Sequence, residues 1–454
     1  MRRFMRDQRG NIAITFALAL IPTCILIGGT VDFSRAMSAK RQLRDTLDGA
    51  ALAIAGVPNF TQPQAEQIAK DFATANFPSQ SIGAPAKIDS VVFDDIKVNI
   101  NGSANVPTTM LDLIGMDYIK VTTDTIVDRS GRNVEAAIAL DITGSMAGSR
   151  LTALKAAAKD FVDIVVLDNQ SPYTSKVALA PYSNAVQVGA TMAPLVRGAA
   201  STSCTTYGCS TFRFTDNSAS SACNNNLNTG SKKSTICQWA INNCVVERTG
   251  ADAYTDATPA AGRYLMANYR RSGDPCPTAS IVPLTDNKTT LKNSINSYNA
   301  MGATAGHVGI AWAWYLLSPN FGTFYPSASK PNAYTDKKTM KVAVLMTDGE
   351  FNTMYCQGVD SADSGRGRDA INCNAPNGNS FAQAKKLCAA MKNQKVIVYS
   401  IGFDIDKGSN AEKVLKECAT SPDAPYFNTP KTNEELAGTF KTVAKSISQL
   451  RISH

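Results

Sequence analysis

Three oxygen-bearing side chains alternate in the stretch ALDITGSMAGSRL, which covers residues 139–151. Asp141, Thr143 and Ser145 directly follow an apolar run that has the composition of a buried strand. Alternate side chains of an extended loop point to the same side, so these three groups can converge. One carboxylate and two hydroxyls are hard ligands that suit Mg²⁺, Mn²⁺ or Ca²⁺ rather than zinc. The same residue types also cap helices and form turns, so the loop alone does not identify a metal site.

The segment TGSMAGSR, residues 143–150, is also similar to the T-G-x-x-x-G-x-G phosphate loop of nicotinamide-dependent oxidoreductases. Arg150 stands in place of the last glycine and would obstruct the approach of a pyrophosphate to the backbone. Such enzymes also need a Tyr-x-x-x-Lys pair, and the nearest candidate, Tyr173 and Lys176, is one residue too short. Neither this alternative nor a G-x-S-x-G hydrolase motif is supported, so we expect no catalytic residues and no enzyme.

Two further oxygen-bearing side chains, those of Thr304 and Asp348, are predicted to lie near the same edge of a β-sheet as Asp141. From residue 133 onward, apolar strands alternate with helical segments, which predicts an open, doubly wound α/β domain with a mainly parallel sheet. The predicted strand KVAVLMT, residues 341–347, is followed by Asp348, and Thr304 lies in a glycine-containing turn before an apolar helix. Open sheets of this class bind ligands at the carboxyl ends of their strands, where Asp141 and Asp348 both lie.

This arrangement resembles the von Willebrand factor A domain and its metal-ion-dependent adhesion site. In that family the site combines a D-x-S-x-S loop, a threonine on a second loop and an aspartate after a later strand. The resemblance implies that Asp141, Thr143, Ser145, Thr304 and Asp348 bind a divalent cation, Mg²⁺ before Mn²⁺ or Ca²⁺. It also implies that a carboxylate of a partner protein completes the coordination, which is adhesion rather than catalysis. Thr143 departs from the usual serine but retains the hydroxyl. A structural scaffold whose metal site has lapsed is the alternative.

The N-terminus predicts a membrane anchor. Arginines within residues 1–10 precede a stretch from Asn11 to Val31 that contains no ionised side chain. This stretch is long enough to cross a bilayer as a helix, and the arginines predict that residues 1–10 are cytoplasmic. Residues 32–56 are rich in helix formers and are expected to continue the helix. We therefore expect a single-pass protein of the bacterial inner membrane, with all residues after Val31 in the periplasm.

The same segment resembles the TadE/TadG-like family of tight-adherence (Flp) pilus assembly proteins. The match rests on VDFSRA, residues 31–36, and LDGAALAIA, residues 47–55. A segment of this type joined to a von Willebrand A domain is similar to TadG-type members, which implies a partner protein from the pilus assembly machinery. Thr15 replaces the glutamate of the pilin-like members, so we expect no cleavage after Gly10.

Ten of the eleven cysteines follow the anchor segment, and neither a CxxC pair nor a histidine cluster favours zinc. Disulfide bonds are therefore expected, as in periplasmic proteins. Six of these cysteines lie in a polar insertion at 197–287, where their connectivity stays open. Outside it, we predict that Cys388 pairs with Cys418, and that Cys356 pairs with Cys373 at the rim of the metal site.

Between the anchor helix and the α/β domain, alternating segments such as IKVNING and YIKVTTDT predict strands. They indicate a small α+β module at 57–131, followed by the von Willebrand A-like domain at 132–450. The net charge is +8, but the basic residues are scattered, so no nucleic-acid surface is expected. The sequence leaves the oligomeric state open.

Overall fold

The computed structural model describes residues 11–57, 60–93, 97–128, 131–171, 173–216, 235–269, 276–364 and 371–452. The chain divides into a first compact unit, which ends at residue 131, and a second unit formed by residues 132–453.

The first unit packs helices on an antiparallel sheet with the strand order β1-β2-β3. Its elements are α1 (Asn11–Ala55), α2 (Gln62–Asn76), α3 (Ser79–Ile82), β1 (Lys87–Phe93), β2 (Lys97–Pro107) and β3 (Tyr118–Asp128). Leu43, Leu47, Ala50 and Ile54 recur at helical spacing along α1 and are fully buried. They share a hydrophobic core with Val98 of β2 and its neighbours, so the second half of α1 covers the sheet.

The structure corrects the prediction for the N-terminal stretch. Across the described ranges, no helix combines the length and the apolarity that a membrane crossing requires. The predicted transmembrane helix at 11–31 is therefore wrong, and so is the single-pass inner-membrane localisation with a periplasmic C-terminal domain. The apolar stretch is the beginning of the 45-residue helix α1, which continues through charged side chains from Asp32 onward. Residues 1–10, including the predicted cytoplasmic tail and Gly10, lie outside the described residues.

The second unit contains a sheet with the strand order β10-β5-β4-β11-β14-β15. Every neighbouring pair is parallel except β10 with β5. The strands are β4 (Asn133–Asp141), β5 (Ser175–Tyr182), β10 (Val282–Thr285), β11 (Thr339–Thr347), β14 (Ile397–Gly402) and β15 (Phe427–Asn428). The mainly parallel α/β sheet predicted from the sequence is thus present.

Helices cover both faces of this sheet. Alternate residues of β4 belong to different cores: Ala137 and Ala139 pack on one face, and Ala136 and Ile138 on the other. The first core includes α7 (Gly306–Tyr315), α8 (Ser380–Asn393) and α9 (Asn410–Cys418), and the second includes α4 (Ser149–Val165), α6 (Lys288–Asn296) and α10 (Asn433–Ile452). Burial on both faces explains the continuous apolar strands and gives a doubly wound domain.

The predicted insertion at 197–287 contributes to a second, antiparallel sheet in which β8 pairs with β6, β7 and β9. The strands of this sheet are β6 (Val186–Gln187), β7 (Thr211–Asp216), β8 (Thr235–Arg248) and β9 (Leu265–Tyr269), and the short helix α5 (Ala193–Arg197) lies between β6 and β7 in the chain. Disulfides join Cys204 to Cys209 and Cys244 to Cys276. Cys237 is also disulfide-bonded, and Cys223 lies outside the described residues.

A short hairpin follows Asp348 and packs on this second sheet. It consists of β12 (Tyr355–Cys356) and β13 (Val359–Asp360). Cys356 bonds to Cys373 and shares a core with Trp239 of β8. Cys388 of α8 bonds to Cys418 of α9. Both disulfides predicted outside the insertion are confirmed.

Candidate metal centre

The two aspartates of the predicted site lie at the carboxyl ends of neighbouring strands. Asp141 is the last residue of β4, and Asp348 directly follows β11. The two strands pair in parallel, with Leu140 opposite Met346, so both carboxyl ends meet at one edge of the sheet. The two residues are nearly excluded from solvent, with Asp141 0% and Asp348 7% exposed. The structure therefore brings these two residues together as the sequence indicated.

The loop after β4 connects the two carboxylates through hydroxyl groups. The backbone N–H of Thr143 donates to Asp141 Oδ1 at 2.9 Å. Thr143 Oγ1 lies 2.9 Å from Ser145 Oγ, which donates to Asp348 Oδ1 at 2.7 Å. Thr143 is buried whereas Ser145 is exposed, so these two hydroxyls lie between the buried carboxylates and the surface.

The second oxygen of Asp141 has donors that the sequence analysis missed. Thr347 Oγ1 donates to Asp141 Oδ2 at 2.7 Å, and the backbone N–H of Asp348 does so at 3.4 Å. The Tyr182 hydroxyl lies 3.4 Å from the same oxygen and donates to Met346 O at 2.9 Å. Tyr182 lies opposite Asp141 in the pairing of β4 with β5. The signal was available for Thr347, because it ends the predicted strand KVAVLMT directly before Asp348. These donors hold the Asp141 carboxylate in one orientation.

Thr304 is carried by a loop that is hydrogen-bonded to the first loop. Met301 N donates to Ile142 O at 2.9 Å, and Gly144 N donates to Gly302 O at 3.0 Å. The backbone N–H of Thr304 donates to Asn352 Oδ1 at 2.9 Å, on the segment after Asp348. The three predicted loops thus meet at one edge, and Thr304 is buried there.

A glycine makes this close approach possible. Gly302 has φ +75°, a conformation that other residues rarely adopt. A Cβ atom at this position would lie 2.4 Å from Asn184 Oδ1. Gly302 is therefore required both by the backbone conformation and by the space between the loops.

The two carboxylates share a site that disfavours their charged forms. Burial, reinforced by the charge of Asp348, raises the pKa of Asp141 to about 6, against the hydrogen bonds from Thr143 and Thr347. Burial also raises the pKa of Asp348, while Ser145 and Arg150 oppose that shift. An added cation would stabilise both charged forms, so the electrostatics favour cation binding.

The donor set fits a hard divalent cation. It consists of two carboxylates and hydroxyls, with no histidine or cysteine. Within the residues that the structure describes, no three His, Cys, Asp or Glu side chains converge on one point. Hydroxyls and water must therefore supply the remaining ligands, which is compatible with Mg²⁺ and not with a zinc site.

Arg150 also reaches this edge. Its guanidinium donates to Asp348 Oδ2 at 3.3 Å and to Asp404 Oδ2 at 2.5 Å. The guanidinium carbon lies 5.6 Å from the centre of the Phe403 ring. In the sequence, Arg150 served only as an argument against a nucleotide loop, and Asp404 gave no signal. Both belong to the surroundings of the candidate site.

Residues 10–57 match the sequence model of the family described as putative Flp pilus-assembly TadE/G-like. This match confirms the resemblance predicted for the N-terminal segment. No curated protein matches the chain.

Several solved structures are similar to this chain. The von Willebrand factor domain of the type V pili tip protein Mfa5 from Porphyromonas gingivalis is 12% identical, covering 71% of this chain and 97% of that one, with a TM-score of 0.38. The pilus adhesin SpaC from Lactobacillus rhamnosus GG is 10% identical, over 80% of this chain and 34% of that one, with a TM-score of 0.35. A von Willebrand factor type A structure from Catenulispora acidiphila is 12% identical, over 80% and 49%, with a TM-score of 0.31. These values transfer no property of those proteins to this chain.

Proposed function

We propose that this protein acts in pilus assembly or adhesion by binding a partner protein through a divalent cation at the carboxyl edge of its α/β sheet. The match of residues 10–57 to the TadE/G-like family supports the pilus context. The row of oxygens from Asp141 through Thr143 and Ser145 to Asp348 is the observation that carries the metal-dependent part of the proposal.

In this proposal Asp141, Ser145 and Asp348 hold the cation, and Thr143 and Thr304 complete the set of protein oxygens. Mg²⁺ is the first candidate, with Mn²⁺ and Ca²⁺ as alternatives, because all three prefer oxygen ligands. The bound cation supplies positive charge that attracts a carboxylate of the partner. Ser145 is exposed, which leaves that side of the site open to such a group.

The partners of the two acids support binding rather than catalysis. Asp141 and Asp348 contact hydroxyls, backbone N–H groups and an arginine. These neighbours orient carboxylates, and within the described part of the chain none of the hydroxyls among them is paired with a histidine or lysine that could act as its base. The partner is proposed to be a component of the pilus assembly machinery that presents an acidic side chain.

Isothermal titration of the full chain with MgCl₂ and with MnCl₂ tests the metal site. The wild type is compared with Asp141→Asn, and Asp168→Asn is the matched control because its side chain is 95% exposed. We expect binding heat for the wild type and the control, and none for Asp141→Asn. An absence of metal-dependent heat in the wild type would instead support a structural scaffold with a lapsed site.

A further inference from the structure

Arg150 occupies a position where a positive charge is locally unfavourable. It is the second residue of α4, whose first turn, Ser-Arg-Leu-Thr, contains no acidic residue. The N-terminus of a helix carries partial positive charge and favours acidic side chains. A cation that departs from this local preference needs a compensating interaction elsewhere in the fold.

The compensation comes from the ends of two strands. Asp348, after β11, and Asp404, shortly after β14, each accept a hydrogen bond from a different terminal nitrogen of Arg150. The backbone N–H of Asp404 donates to Pro430 O at 2.8 Å, which holds the main chain that carries the outer carboxylate. The Arg150 side chain is nevertheless 36% exposed, so it has room to move away from Asp348.

Both oxygens of Asp348 are engaged in this arrangement. Ser145 Oγ donates to Oδ1, and Arg150 donates to Oδ2. The carboxylate charge that a divalent cation would use is thus already balanced by a side chain of the same chain. Asp404 holds the far end of Arg150 and takes a share of its positive charge.

We propose that Arg150 is an internal counter-cation that competes with the divalent cation for Asp348 and thereby sets the cation concentration at which the site fills. This inference rests on the function proposed above. Asp404 is the positioning residue that draws Arg150 outward. Loss of Asp404 concentrates the guanidinium on Asp348, and loss of Arg150 frees that carboxylate.

A brace that only connects three elements makes different predictions. Removing such a brace would lower stability with or without the cation and would weaken or preserve metal affinity. A competing cation instead gives effects of opposite sign for its two partners: Arg150→Gln strengthens metal binding, and Asp404→Asn weakens it. The sign of each change therefore separates the two roles.

The experiment titrates Mg²⁺ into the full chain and records melting temperatures with and without the metal. For Arg150→Gln we expect roughly fivefold tighter binding, since a partly exposed charge is removed from beside a dication. For Asp404→Asn we expect binding weaker by roughly threefold. The double variant should bind like Arg150→Gln, because Asp404 acts through Arg150. Arg263→Gln is the matched control, because Arg263 is exposed in the same unit.

Melting temperatures give a second readout, which is recorded first without and then with Mg²⁺. Without Mg²⁺, Arg150→Gln should melt at a lower temperature than the wild type, because Asp141 and Asp348 lose their counter-charge. Added Mg²⁺ should then raise its melting temperature more than it raises that of the wild type.

The outcomes distinguish this inference from the proposed function. If the wild type binds Mg²⁺ and Arg150→Gln binds it equally or less tightly, the competition is refuted while the metal site stands. If neither protein binds at millimolar Mg²⁺, both proposals fail. Binding by Arg150→Gln alone supports the competition. Should that variant not fold, an Asp404→Asn protein that binds Mg²⁺ as tightly as the wild type overturns the inference.

Discussion

Two buried aspartates in this chain have pKa values shifted in opposite directions. Asp32, in the first unit, accepts hydrogen bonds from the backbone N–H groups of Thr109, Met110 and Leu111 at distances of 2.8–3.1 Å. The bond from Leu111 is the largest cause that lowers its pKa. Asp141, in the second unit, is equally buried, yet its pKa is raised. Burial alone therefore does not decide the charge state of a carboxylate.

The difference lies in what surrounds each charge. Asp32 faces fixed backbone donors and has Arg35 within 3.9 Å. Asp141 has neutral donors of similar geometry but also faces a second carboxylate, that of Asp348. The charge of Asp32 is balanced without any ligand. Asp141 and Asp348 together carry an excess of negative charge that Arg150 offsets in part. A structural role suits Asp32, and a cation site suits Asp141.

The largest effect is expected when the carboxylate of Asp32 is removed. Asp32→Ala would leave three backbone N–H groups beside a helix without their acceptor, so we expect the transition of the first unit to fall by roughly 10 °C or more. Scanning calorimetry at neutral pH measures it, with Asp45→Ala on the exposed side of α1 as the control. Because the folded pKa is lowered, the contribution of Asp32 is present above pH ~4 and is lost as the pH falls through the folded value. A melting curve like that of the control would contradict the structural role.

The pH dependence of stability tests the other half of this comparison, and Asp141→Asn is the variant that changes it. The folded pKa of Asp141 is about 6, against about 3.9 when unfolded, so wild-type stability should decrease as the pH rises between these values. Above pH ~6, the penalty is on the order of 3 kcal/mol in the absence of metal. Asp141→Asn should reduce this slope to the part that Asp348 carries, and it should unfold at pH 7 with a free energy at or above that of the wild type.

Urea unfolding at a series of pH values, with chelator present, measures this effect. Asp168→Asn again serves as the control, since it changes an exposed carboxylate of the same unit. An unchanged slope between pH ~4 and ~6 in Asp141→Asn would show that another group carries the dependence.

The approach of the loops to Asp141 depends on Gly302. Gly302→Ala would place a Cβ against Asn184 Oδ1 in addition to the cost of its positive φ. Gly262 has φ +82° with no atom within 4 Å of such a Cβ, so Gly262→Ala isolates the conformational cost. We expect Gly302→Ala to lower the free energy of unfolding by about 1–2 kcal/mol more than the control. It should also weaken Mg²⁺ binding, and equal losses in the two variants would contradict the contact argument.

The sequence supported the sheet and the position of the acids because both follow from local patterns. Continuous apolar strands between helices predicted a parallel sheet, and residues that end such strands must meet at its carboxyl edge. This reasoning placed Asp141 and Asp348 correctly. It did not place Arg150 against Asp404, because that contact joins residues 254 positions apart through side chains on different elements.

Composition alone was least informative at the N-terminus. A stretch without charges predicted a membrane helix, and the helix formers at 32–56 correctly predicted that the helix continues, but neither pattern shows that the helix covers a sheet. The contact of Asp32 with residues 109–111 is equally invisible, since a separation of 77–79 residues leaves no periodic signal. In both places the sequence did not indicate which distant residues the helix contacts.

Thr143 is the position where the smallest effect is expected. Its methyl group distinguishes it from the usual serine, yet its hydroxyl already lies 2.9 Å from Ser145 Oγ. Thr143→Ser keeps that hydroxyl and should change the Mg²⁺ dissociation constant by no more than about twofold. Thr143→Val keeps the shape and removes the oxygen, so binding should weaken by roughly tenfold if this hydroxyl is a ligand. Equal affinities for the two variants in calorimetric titration would show that Thr143 only orients Asp141 through its backbone N–H. Asp141 would then be held by a backbone donor in the same way as Asp32.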